Sequence, residues 1–86
     1  KNYPNPFNPS TTIEFSLPRE QKTEVCIYNC KGQKVKMLNK GVLPSGRNAV
    51  IWDGKDESGR ISASGIYFYR IKTEDKQVVK KITLIK

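Results

Sequence analysis

The chain contains no histidine, and its 8 acidic residues face 16 basic ones. Any acid–base or metal chemistry would therefore have to come from carboxylates, thiols and hydroxyls. Asp53, Asp56 and Glu57 form the only acidic cluster. A calcium loop needs oxygen ligands at alternating positions, and Lys55 occupies the second of them. The cluster reads instead as Asx-turn chemistry that solvates a loop, with Gly54 and Gly59 free to take positive φ. Cys26 and Cys30 are four positions apart. In extended backbone their Cα atoms would sit roughly 13 Å apart, beyond disulfide reach, unless a tight turn at Asn29 closes the gap. Two thiols without histidine do not make a zinc site. The expectation is a non-catalytic chain with no cofactor.

The other residues able to do chemistry are aromatic. Trp52, Tyr67 and Tyr69 could stack on a sugar ring, yet strand alternation turns all three inward, which makes them core anchors. They belong to the stretch that organises the chain. One strand runs over Arg47–Asp53 and a second over Gly65–Lys72, separated by the turn-rich run from Asp53 to Ser64. An indole packed against tyrosines across such a loop is the centre of a small β-sandwich.

The remaining elements follow from the same period-two pattern. Residues 1–10 carry three prolines, each fixing φ and extending its predecessor, so they form a stiff lead-in. Tyr3 and Phe7 are expected to tuck against the end of the sandwich. Over Thr11–Leu17, Ile13, Phe15 and Leu17 point inward, and Pro18 stops the strand. Arg19–Gln21 is read as a turn. In the next strand Thr23, Val25 and Ile27 face inward while Glu24, Cys26 and Tyr28 face outward. A short third strand spans Val35–Leu38, where Leu38 breaks alternation and needs a bulge. Asn39–Arg47, with Gly41, Pro44 and Gly46, reads as a loop anchored by Leu43. Glu74–Asp75 marks a hairpin, and Gln77–Lys86 is the last strand. No 3.6-residue apolar stripe occurs, so six to seven short strands and essentially no helix are expected, an all-β sandwich.

At 86 residues, 36% hydrophobic and 28% charged, the chain has material for one domain and one core. No apolar run approaches the ~20 residues of a membrane helix, and Lys1 opens no signal-peptide pattern. Membrane insertion is not expected, and the chain reads as a module from the end of a larger protein. The net charge of +8 favours anionic partners, with an anionic polysaccharide as one candidate. Lysines that keep strand edges soluble account for the same charge. Nucleic acid is not expected as a partner, because no recognition helix or stacking platform is present. Ile66 and Phe68 alternate outward and, with Val79 and Ile85, form an apolar patch edged by Arg70 and Lys81. Ile66, Phe68, Arg70 and Val79 are therefore the candidate partner interface.

The run Asn2-Tyr3-Pro4-Asn5-Pro6-Phe7-Asn8-Pro9-Ser10-Thr11-Thr12-Ile13 carries a resemblance. So do Ile27-Tyr28-Asn29 with Gly32-Gln33-Lys34-Val35, Trp52-Asp53-Gly54, Ser64-Gly65-Ile66-Tyr67-Phe68-Tyr69-Arg70-Ile71, and Lys81-Ile82-Thr83-Leu84-Ile85-Lys86. In order and over the whole length, these resemble the C-terminal sorting domain of type IX (Por) secretion cargo. The pattern is also similar to the immunoglobulin-like domain of the flagellar hook-capping protein.

The resemblance implies an immunoglobulin-like β-sandwich of about seven strands, with one module over residues 1–86. It implies a sorting and anchoring role in which the secretion machinery is the partner and an upstream catalytic domain is the cargo. Localisation would run through the periplasm to the cell surface or the extracellular space. By position, Lys81, Ile82, Leu84, Ile85 and Lys86 would belong to the sorting signal. Core anchors are Trp52, Tyr67, Tyr69, Phe15 and Ile27. The alternatives are a carbohydrate-binding or spacer accessory domain of a secreted hydrolase, or a hook-cap-like assembly module.

Overall fold

A computed structural model describes residues 10–85. The expected docking of Tyr3 and Phe7 lies outside the described residues. Six strands follow one another: β1 Thr11–Leu17, β2 Gln21–Tyr28, β3 Lys34–Leu43, β4 Gly46–Trp52, β5 Gly65–Thr73 and β6 Gln77–Leu84. All pairings are antiparallel. β1 and β4 form a two-stranded sheet, and β3-β2-β5-β6 form a four-stranded one. No helix occurs among the described residues.

Alternation decides the core. Ile13 from β1, Val25 and Ile27 from β2, Trp52 from β4, Tyr67 and Ile71 from β5 and Leu84 from β6 form one buried cluster between the sheets. Phe15, Val35, Leu38, Val50, Tyr69 and Ile82 pack against it, half-buried. Every inward assignment made for β1 and β2 falls on the core side.

The expected loop over Asn39–Arg47 is not there. β3 continues to Leu43, where Asn39, Gly41 and Leu43 pair with Val25, Thr23 and Gln21. The eight residues of β2 offer a ladder to bond with, and that outweighs the loop-forming tendency of Gly41. Gly41 serves the strand instead, taking φ +149° opposite Thr23. The turn shrinks to Pro44-Ser45, followed by Gly46 at φ +93°. The bulge that Leu38 required is present as a register shift between Val25 and Cys26. A second shift between Ile27 and Tyr28 sets Val35 out of step and delivers it to the core side as well.

Three further expectations are corrected. Gln21 opens β2 with a buried side chain: its amide donates to the Arg19 carbonyl at 3.3 Å and accepts from the Glu74 backbone N–H at 3.2 Å. Cys26 faces outward but is fully buried. It sits on a central strand directly across from Arg70 and Met37, both longer side chains on strands that flank it on either side. The last strand ends at Leu84, short of Ile85.

Candidate functional site

The centre of the chain is structural. Trp52 is fully buried and meets Tyr67 edge-on, with ring centroids 5.2 Å apart and planes at 66°. The indole N–H donates to the Lys55 carbonyl at 2.9 Å, and the Tyr67 hydroxyl donates to the Ala63 carbonyl at 2.6 Å. Both rings thus tie down the loop between β4 and β5.

The carboxylates of that loop are occupied by backbone. Asp53 accepts from the Lys55 N–H, and Asp56 from those of Ser58 and Arg60, at 2.9 to 3.0 Å. These are the Asx-turns that the sequence implies. Glu57 departs from the expectation of a merely solvating residue. Its backbone N–H donates to the Val35 carbonyl at 3.1 Å, and its carboxylate accepts from the Met37 N–H at 2.8 Å. It therefore caps the bulged edge of β3, a long-range role with no local sequence signal. No group of three or more potential metal-ligating side chains occurs among the described residues. Cys26 and Cys30 are free thiols, one buried and one exposed. A groove of about 230 Å³ lies between β1 and the β5–β6 hairpin, with Phe15, Leu17, Tyr69 and Ile71 in its wall. Its rim groups Gln21 and Asp75 are engaged, Asp75 with Arg19 at 3.1 Å.

The candidates on β6 divide into two sets. Leu84 is buried, and Ile82 is half-buried against the core. Lys81 is exposed, and Ile85 is 76% exposed. Lys86 lies outside the described residues. β6 closes one side of the four-stranded sheet, bonded to β5 alone, so its outer backbone edge is open among the described residues. Of the core anchors, Trp52, Tyr67 and Ile27 are buried, while Phe15 and Tyr69 are half-buried and packed on the cluster.

The candidate interface residues share the outer face of this sheet. Register puts Ile66 across from Thr83, Phe68 from Lys81 and Arg70 from Val79. Ile66 is 43% exposed and Val79 55%, whereas Phe68 and Arg70 are half-buried. Arg70 sits over Tyr28, its guanidinium carbon 5.2 Å from the ring centroid, and one terminal nitrogen reaches Glu24 at 3.9 Å. Its Nε is buried without an acceptor.

Burial pushes the Tyr28 phenol above its ordinary value of 10.0, and a hydrogen bond with Cys26 adds to the shift, while the Arg70 charge opposes it. A phenol that holds its proton more tightly when folded stabilises the fold fully below pH 10.0. That contribution is lost as pH rises through the folded value. Stability of the parent chain should therefore fall above pH 10, and Tyr28→Phe should flatten that limb. Urea midpoints at pH 8, 10 and 11 check it; parallel curves for both proteins would contradict it.

Two antiparallel sheets closing on a tryptophan–tyrosine core define an immunoglobulin-like β-sandwich of six strands. The tyrosine bonded back to a carbonyl four residues upstream suits that class. The solved structure of FlgD from P. aeruginosa is similar, with a TM-score of 0.70 and 29% identity over 88% of this chain. The chain spans 60% of the length of that FlgD chain. No curated protein matches it. The family described as the secretion system C-terminal sorting domain matches residues 1–86, and the chain belongs to it. It is thereby a sorting signal for type IX secretion, which implies contact with the secretion machinery and attachment to a parent protein. Export runs through the periplasm to the cell surface or the extracellular space. The family is in general non-catalytic.

Proposed function

We propose that residues 1–86 act as one non-catalytic sorting and anchoring module, with residues 1–10 as its lead-in, and that β6 is the element the secretion machinery reads. The observation that carries this reading is the two-sidedness of β6. Leu84 and Ile82 hold the strand to the core, while Lys81, Ile85 and a backbone edge that is open among the described residues face outward. An open edge can accept a further strand, because its N–H and C=O groups are already aligned for pairing. Lys86 continues the same signal. The cargo is a larger secreted protein with its catalytic domain upstream.

Appending the 86 residues to a periplasmic reporter in a host with a working type IX system should carry the reporter to the surface or the medium. Retention of the folded fusion in the periplasm would refute the reading.

A further inference from the structure

The four-stranded sheet has an outer face that the sorting signal does not use up. Residues directly opposite one another in an antiparallel ladder share a face. One row across the sheet is thus Lys34, Tyr28, Phe68, Lys81, and the next is Met37, Cys26, Arg70, Val79. A third row places Lys40, Glu24, Lys72 and Gln77 side by side. The cations of these rows are Lys34, Lys40, Arg70, Lys72 and Lys81, against Glu24 alone. The outer face of the other sheet is built differently. There Thr12, Glu14 and Ser16 stand opposite Ile51, Ala49 and Arg47, one charge of each sign.

Lysines on β3 and β6, the two outer strands of this sheet among the described residues, are accounted for by edge protection. Arg70 and Lys72 are not, because β5 is paired on both sides. Arg70 is also held in place, set over Tyr28 and steadied by Glu24, so little freedom is lost when it meets a partner. The apolar residues of the face gather on its β5–β6 side: Phe68 is half-buried on β5, Val79 is exposed on the edge strand β6, and Ile66 is exposed at the start of β5. Four strands span about 14 Å, and at one end of the face Glu24, Lys40 and Lys72 border a hollow of about 450 Å³. Among the described residues of this face no aromatic ring lies fully open for a sugar, since Arg70 sits over Tyr28 and Phe68 is half-buried.

We propose that this face docks an acidic protein surface, with aliphatic side chains that meet its β5–β6 side and carboxylates that meet Arg70, Lys72 and the lysines of the neighbouring rows. Desolvation of Ile66, Phe68 and Val79 supplies the attraction, and the cations supply rate and choice of partner. The inference gives the chemistry of a partner for the module, and so rests on its being an interaction domain.

The test is a titration of the isotope-labelled 86-residue chain, read by amide resonances, with three probes. These are a glutamate–leucine copolymer, polyglutamate of equal charge, and polygalacturonate. The copolymer should bind at least tenfold more tightly than either other probe and shift the amides of Phe68, Arg70, Val79 and Lys81. The Lys34→Glu/Lys72→Glu variant, which leaves the sorting-signal residues untouched, should lose at least tenfold in affinity. Arg47→Glu/Arg60→Glu, with the same change in charge, should lose less than threefold. The amide spectrum of each variant reports its fold directly. Equal losses in both variants, shifts spread over all lysines, tighter binding of polygalacturonate, or no binding at all would each overturn the proposal. None of these outcomes bears on reporter export, so the sorting reading stands or falls separately.

Discussion

Trp52→Ala should leave the chain without a cooperative thermal transition, or with one lowered by well over about 12 °C. The residue is fully buried, so its loss removes a large apolar surface and opens a void that two thin sheets cannot close. Large aromatic truncations of this kind cost roughly 3–5 kcal/mol, out of a total stability on the order of 5–10 kcal/mol. Two further losses fall on the same site. Tyr67 loses its edge-on partner, and the Lys55 carbonyl loses the indole N–H. The loop that carries Asp53, Asp56 and Glu57 then has only the Tyr67–Ala63 tether among the two ring bonds, and the Glu57 clasp on β3 loosens with it. Trp52→Phe keeps part of the apolar volume and should fall between the parent and the alanine variant. A melting temperature for Trp52→Ala within 5 °C of the parent would mean that the indole does not organise the sandwich.

The sequence disclosed what depends on neighbours two residues away. Ile13 and Leu17, or Val25 and Ile27, lie inward because a pleated strand turns every second side chain to the same face. The bulge at Leu38 was readable for the same reason, since Val35, Met37 and Leu38 cannot all obey one alternation. What stayed hidden depends on partners far along the chain. Asn39–Leu43 becomes strand because β2 lies beside it, and no local pattern around Gly41 records that. Alternation gave the side on which Cys26 lies but not its depth, which depends on the strands that flank it on either side. Glu57 looked like a solvated loop residue, and its bond to Met37 crosses 20 positions. The two-sided character of β6 was half visible. Spacing paired Ile82 with Leu84, while the open edge follows only from the strand order.

That division of β6 gives the second large effect. Leu84→Ala truncates a buried side chain of the core cluster and should cost about 2–5 kcal/mol, lowering the melting temperature by about 8 °C or more. Lys81→Glu/Ile85→Ser changes two exposed positions and should leave stability nearly unchanged. If the machinery reads the folded module from outside, the two variants will behave oppositely in the cell. Leu84→Ala should lose export only in proportion to the fraction unfolded, and should recover it at lower growth temperature. The outward pair should lose export at every temperature although the fold is intact.

The decisive measurement is the fraction of a fused reporter that reaches the surface or the medium for Lys81→Glu/Ile85→Ser, taken beside the melting temperature of the same protein. A melting temperature within about 3 °C of the parent together with at least a tenfold drop in exported reporter is the predicted result. Export at the parental level from that stably folded variant would show that these outward side chains are not what is recognised.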